Sequence, residues 1–369
     1  MGKKVLILVN HDIVIYNFRR ELVERLLSEE CEVIISSPYG ERISDLLAMG
    51  CKYLEIELDR HGTNPISELR LLAYYKRIMR EIKPDIVLLY TIKPNIWGGI
   101  AAKDLRIPYI ANITGLGTAV ENEGWVQKIS VLLYKVAFKK AHKVFLQNTE
   151  NQEFFVKHRI ALNSHGLIPG SGVNLEHFRL LDYPSDSKAE FVFISRIMKE
   201  KGIDQYIEAA KYITKKYPNT KFHVCGFCEE DYYNILSDLQ NQSVLTYHGM
   251  IRDVREILKK THCTVHPTYY PEGLSNVLLE SAASGRPIIT TDRSGCREVV
   301  EDGINGYVVE QRSSEDLIDK IEKFIALRHE EKKMMGLAAR AKVEREFDRQ
   351  IVVEAYLDEI EKIVCERVC

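Results

Sequence analysis

The chain lacks any uninterrupted apolar run near the ~18 residues that a bilayer-spanning helix needs, so no transmembrane span is expected among its 369 residues. It also lacks a strong charge of either sign. The formal net charge is -2, which gives no reason to expect whole-protein attraction to nucleic acid. Its eight cysteines, at 31, 51, 225, 228, 263, 296, 365 and 369, are too scattered for a disulfide scaffold. Cys225 and Cys228 have Cys-x-x-Cys spacing, but no second pair accompanies them to make a metal site. Cys225 reads as core and Cys228 as incidental. The opening MGKKVLILVN runs into a polar turn with no cleavage pattern, and a cytoplasmic protein is expected. Repeats, low-complexity tracts and an Asp-x-Asp loop able to hold magnesium are missing too.

What is present is strand–helix alternation, twice. KVLILVN (4–10), EVIISS (32–37), PDIVLLYT (84–91), IPYIANIT (107–114) and KVFLQN (143–148) are short, mostly apolar runs that read as buried parallel strands. Helices are expected over 17–29, 65–82 and 125–140 and from 149. A stretch rich in Gly, Pro, Ser and Asp then spans 166–190, with the linker proper at 171–189. Strands are expected again at 190–196, 220–226, 243–249, 262–267, 286–291 and 306–310, with helices at 201–217, 230–239, 252–260 and 275–284. The length also suits two cores rather than one. The sequence therefore predicts an α/β protein of two doubly wound, Rossmann-like domains facing across a cleft. Their spans are 1–170 and 190–347, and a helix over 348–369 leaves room to pack back on the first domain.

Charge is uneven along the chain. Residues 1–180 hold 24 Lys and Arg against 20 Asp and Glu, while residues 181–369 hold 27 against 33. The segment 125–145 has five lysines and no acid. As an ordinary surface helix it would bury Trp125, Ile129, Leu132, Leu133, Val136 and Ala137 and wet its lysines. As a membrane-contacting helix it would bring Lys128, Lys135, Lys139 and Lys140 to an anionic bilayer.

Ligands of doubly wound domains sit beyond the carboxyl ends of the strands, so residues just after strands are the candidates. In SRIMKEKG (195–202), Arg196 and Lys201 flank a strand-to-helix transition and could hold a diphosphate. Gly226 ends a strand, and Gly249 follows another, with Arg252 expected to begin a helix. In PEGLSNVLLE (271–280), Ser275 can cap the helix through its hydroxyl. The first-turn N–H groups and the helix dipole favour phosphate. Glu272 and Glu280 suit sugar and ribose hydroxyls, because carboxylates accept paired hydrogen bonds. In the first half, His11 and Asp12 follow the first strand. Thr91, Lys93 and Asn95, then Thr114, Gly115, Gly117 and Glu121, follow later ones. Lys93 could meet an acceptor phosphate and Glu121 could act as an acceptor-side base. His61 follows a later strand but lacks a convincing surrounding pattern.

The ordered pieces SRIMKEKG, VCG, HG plus three residues, PEGLSNVLLESAASGRPIITT and GCREVVEDGINGYVV resemble the retaining GT-B glycosyltransferases of family 4. The Glu-x7-Glu spacing is that family's best-known signature. VNHD, RHGTNP, YTIKPNIWGG and NITGLGTAVE resemble members that build surface polysaccharides or O-antigen units on a polyprenyl diphosphate carrier. The resemblance implies metal-independent transfer of a sugar of glucose or galactose type, with or without an N-acetyl group, from a UDP-sugar to a lipid-linked glycan. It implies no cofactor, and a site on the cytoplasmic membrane face. Arg196 and Lys201 would hold the donor diphosphate and Glu272 would meet sugar hydroxyls. Glu280 would bind ribose, and Gly273, Leu274, Ser275 and Asn276 would offer backbone N–H groups. A UDP-sugar 2-epimerase of the same fold and a non-catalytic assembly protein are the alternatives.

Overall fold

The computed structural model describes residues 2–57, 64–116, 124–271 and 273–368, with no account of the side chains of 366–368. The chain divides into two compact units, Met1–Ser171 with Arg349–Cys369, and Gly172–Asp348.

Unit 1 is built on a seven-stranded parallel sheet in the order β3-β2-β1-β4-β5-β6-β7. The strands are β1 Lys4–Leu8, β2 Glu32–Ser37, β3 Lys52–Glu55, β4 Ile86–Tyr90, β5 Tyr109–Ile113, β6 Lys143–Leu146 and β7 His165–Leu167. All five residues of β4 and of β5 are buried, as expected of strands covered on both faces. Val5 of β1 pairs with both Val33 and Ile86.

Several elements of unit 1 differ from expectation. The first helix begins at Asp12, because His11 is extended and accepts from Ile13 N–H as its N-cap. That helix ends at Phe18 and a second runs Arg20–Ser28. The break is at Arg19, whose buried guanidinium donates to the Phe18 carbonyl at 2.7 Å and lies over the rings of Tyr90 and Tyr356. A short helix Ile43–Ala48 and strand β3 were not anticipated. Strand β7 occupies the start of the expected Gly/Pro-rich break and pairs His165 with Val144.

The helix Arg349–Val368 completes unit 1. Its Val352, Val353, Tyr356, Leu357, Ile360 and Ile363 are buried in one core with Val5, Ile7 and Leu88. Asn112 Nδ2 donates to the Tyr356 hydroxyl at 3.0 Å, and Arg349 grips Glu21 at 3.0 Å.

Unit 2 has a six-stranded parallel sheet in the order β10-β9-β8-β11-β12-β13. Its strands are β8 Ala189–Ile194, β9 Thr220–Cys225, β10 Thr246–Tyr247, β11 Cys263–His266, β12 Ile288–Thr291 and β13 Gly306–Val309. One side of the sheet is covered by helices Ile203–Lys216 and Ser314–Ala326 over a core that includes Phe191, Phe193, Tyr206 and Phe222. Where the chain enters and leaves this unit, Val173 N–H donates to the Phe347 carbonyl at 2.9 Å and Val173 bridges Asp348.

Candidate active site

The site begins where β8 and β9 run on together past their ordinary ends. Ser195 N–H donates to the Cys225 carbonyl at 3.1 Å, and Ile197 N–H to the Phe227 carbonyl at 2.9 Å. This close pairing needs glycine at 226. Its φ is +142°, and a Cβ there would lie 1.7 Å from the Ser195 carbonyl oxygen. Both backbone groups of Gly226 are used: its N–H donates to the Gly249 carbonyl and its carbonyl accepts from the Tyr247 hydroxyl. Gly226 therefore shapes the site as backbone and offers no free N–H to a ligand.

The next turn is a 3-10 segment, Lys199–Lys201, closed by Gly202 at φ +81°. A Cβ on Gly202 would sit 2.1 Å from the Pro267 carbonyl oxygen, so this turn lies directly on the end of β11. Tyr269 N–H donates to the Glu200 carbonyl at 2.9 Å and fixes the contact. The result brings Arg196 and the buried Lys201 to one aromatic ring. The Tyr270 centroid is 5.3 Å from Arg196 Cζ and 4.6 Å from Lys201 Nζ, within cation–π range. Arg196 Nη1 also meets Glu229 Oε2 at 2.6 Å.

Below Lys201 lies His266, wholly enclosed at the end of β11. Burial, aided by the Lys201 charge, pushes its pKa down to about 3. Its Nε2 is 3.5 Å from Ser275 Oγ, while Nδ1 has no hydrogen-bond partner among the described residues. Folding thus keeps His266 neutral, whereas the unfolded side chain titrates near ~6.5. The stabilisation this supplies is complete above about pH 6.5 and is lost as pH falls toward 3. Burial lowers His223, His248 and His262 as well, so unit 2 is expected to be acid-sensitive. His266→Gln should shrink the fall in melting temperature between pH 7.5 and pH 5. An unchanged fall would remove His266 from the account.

The helix expected over 275–284 runs Asn276–Ala283. Ser275 is in the N-cap position, but its hydroxyl makes no capping bond, being turned toward His266. Its N–H donates to the Gly295 carbonyl at 2.8 Å. Leu274 is packed into the core with Phe178 and Leu278. The N–H groups left without intrahelical acceptors by the helix start are therefore those of Asn276, Val277 and Leu278. Asn276 Oδ1 is buried with no partner among the described residues, and Glu280 is half-buried further along the same helix. Gly273 is buried in the turn before it. Arg252 is exposed and precedes its helix, which starts at Arg255. Gly249 sits at φ +64° with open space where a side chain would go. Glu272, Gly117, Glu121 and His61 lie outside the described residues.

In unit 1 several of the proposed acceptor-side residues are engaged in the fold. Asp12 is fully buried, and its Oδ2 accepts from Arg42 N–H at 2.6 Å while Gly40 presses against the carboxylate. It pins the loop after β2 instead of facing a ligand. His11 Nδ1 is 2.6 Å from Asp12 Oδ1. The same nitrogen is 3.3 Å from Ile13 N–H, so proton donation to Asp12 and acceptance from Ile13 compete for it. Lys93 pairs with Glu68 at 2.7 Å. Asn95 is buried in a π-helical turn and donates to the Asn112 carbonyl. Thr91 adopts φ +70°, with its hydroxyl on the Tyr90 carbonyl. Thr114 is exposed, and Gly115 follows at φ +154°.

The helix Trp125–Phe138 meets the expected core face at Leu133 and Ala137 only. Its buried face is Val131, Tyr134, Ala137 and Phe138. Trp125 (82%), Ile129 (55%), Leu132 (60%) and Val136 are exposed, on the same helix as the exposed Lys128 and Lys135 and just before Lys139 and Lys140. The buried stripe is set by Tyr134 and Phe138 stacking on each other and on Phe155.

Glu229, Tyr270 and His266 were missed by the sequence reading. The usable signal was positional: each lies at or just beyond a strand end, beside a predicted ligand cation or helix start. Among the described residues, no group of three His, Cys, Asp or Glu is placed to hold a metal ion.

The family model described as "Glycosyl transferases group 1" matches residues 183–342, and "Glycosyl transferase 4-like" matches residues 4–148. A Campylobacter jejuni protein, N,N'-diacetylbacillosaminyl-diphospho-undecaprenol alpha-1,3-N-acetylgalactosaminyltransferase, is 27% identical over 368 residues, covering 95% of this chain and 96% of its own. The Escherichia coli UDP-Gal:alpha-D-GlcNAc-diphosphoundecaprenol alpha-1,3-galactosyltransferase is 26% identical over 270 residues, 68% of each chain. Among solved structures, Anabaena HepE in complex with UDP and glucose superposes with a TM-score of 0.80 at 16% identity. That match covers 98% of this chain and all of HepE, and at such identity it speaks for the fold.

Proposed function

The chain is a GT-B glycosyltransferase related to the group 1 and 4-like glycosyl transferases, and on that premise we propose that it moves a sugar from a UDP-sugar to a glycan on a polyprenyl diphosphate. The C. jejuni and E. coli relatives, whose names specify such acceptors, support the acceptor class. The observation that carries the donor reading is the meeting of Arg196, Lys201 and Tyr270 close to the start of helix Asn276–Ala283 in one unit.

In this reading Arg196 and Lys201 neutralise the donor diphosphate. The N–H groups of Asn276, Val277 and Leu278 add the positive end of the helix. Glu280 takes the ribose hydroxyls, and Glu272 the sugar. The bond from the anomeric carbon to the phosphate oxygen breaks, and its electron pair leaves with UDP. The acceptor hydroxyl oxygen forms the new bond on the same face, and its proton passes to a departing phosphate oxygen. The protein's task is to stabilise charge on the leaving diphosphate. A neutral His266 beneath Lys201 adds no further positive charge beside that ammonium.

In the same reading the helix Trp125–Phe138, whose Trp125, Ile129 and Leu132 are exposed, contacts an anionic membrane, its apolar side chains at the lipid boundary and its lysines at the headgroups. A lipid-linked acceptor is found at such a boundary. Incubation with a panel of UDP-sugars and a short-chain polyprenyl diphosphate glycan is expected to release UDP and to yield product with retained configuration. Sugar isomerisation without acceptor transfer would favour the epimerase, and failure to bind any nucleotide sugar would favour an assembly role.

A further inference from the structure

Arg196 is paired with a carboxylate of its own unit. Glu229 Oε2 lies 2.6 Å from its Nη1, and the backbone puts the carboxylate there. Glu229 and Glu230 N–H both donate to the Ile197 carbonyl, at 3.1 and 3.3 Å, and Lys199 N–H donates to Glu230 Oε2 at 2.8 Å. The loop after β9 is thus laced onto the segment that carries Arg196. The two side chains are 37% and 42% exposed, so their attraction is screened by water and the pair is easily exchanged. A diphosphate offers more charge and several oxygens to the guanidinium fork.

Tyr270 is the complementary part. Its π face attracts Arg196 and Lys201 together, yet brings no formal negative charge to compete with phosphate. The ring adds attraction for both cations at one place without adding negative charge.

We infer that Arg196 exchanges the Glu229 carboxylate for the donor diphosphate, and that Tyr270 keeps both cations in register during the exchange. The inference rests on the donor reading above. Its consequence is that Glu229 returns to Arg196 as UDP leaves, which weakens the hold on product. Glu229 and Tyr270 are positioning residues with opposite effects.

The test compares Kd for UDP, for inorganic pyrophosphate and for uridine by calorimetry. Glu229→Gln should tighten UDP and pyrophosphate about three- to tenfold. Tyr270→Ala should weaken both about tenfold, and Tyr270→Phe, which keeps the ring but loses the hydroxyl that hydrogen-bonds Arg196, should weaken both only about two- to threefold. Uridine, which has no phosphate, should be unmoved in all three. Unchanged or weaker UDP binding by Glu229→Gln overturns the exchange. Equal loss of uridine and UDP in Tyr270→Ala overturns the role of the ring. If wild type binds UDP and the variants do not separate, only this inference falls. If wild type binds neither UDP nor pyrophosphate, the donor reading falls and takes the inference with it.

Discussion

Arg196→Ala and Lys201→Met should each lower glycosyl transfer by about 10²–10³-fold, the loss seen when one fixed electrostatic partner of a transition state is removed. The effect should fall on turnover, because charge on the diphosphate grows as the glycosidic bond breaks. Methionine is chosen at 201 because the side chain is buried and alanine would leave a hole beside Tyr270. Arg196 is partly exposed and can be shortened without touching the core. Melting temperatures should stay within a few degrees of wild type. Near-normal turnover in both variants, with intact folding, would end the assignment of these cations to the leaving group.

Changing Lys128, Lys135, Lys139 and Lys140 together to glutamine should release the protein from anionic vesicles. At about 1 kcal/mol per lysine near such a surface, four changes amount to nearly a thousandfold in partition. Co-sedimentation with vesicles containing phosphatidylglycerol should fall accordingly, and added salt should mimic the substitutions. Leu132→Asp tests the apolar half and should weaken binding even at low salt. The four lysines are exposed, so folding should survive. Equal recovery of wild type with anionic and neutral vesicles would remove the membrane role.

The alternation of strands and helices was readable because parallel strands covered on both faces must be nearly all apolar, as β4 and β5 are. The short β3 was not, since KYLE is exposed or half-buried throughout and has no apolar run to detect. Arg196 and Lys201 could be singled out as candidates because they follow a strand end. The pairing with Glu229 could not, because it depends on β8 and β9 continuing side by side past their ends. The burial of Asp12 and Asn95 has a related cause: residues after strands face either a ligand or the fold, and the contacts with Arg42 N–H and the Asn112 carbonyl are not visible in the sequence. On helix Trp125–Phe138 both faces hold apolar residues, so composition left open which one Phe155 would cover.

The return of the last helix to unit 1 sets an order of assembly on the ribosome. Residues 172–348 form one uninterrupted segment, tied at its ends by Val173 and Phe347, and can close on themselves while synthesis continues. Unit 1 starts first, yet its core stays unfinished until Val352, Tyr356 and Ile360 emerge. Arg19, Tyr90 and Asn112 wait for the same partner. The half of the protein made earliest is therefore the last to become stable, and a nascent chain stalled near 348 exposes the apolar face that this helix is built to cover.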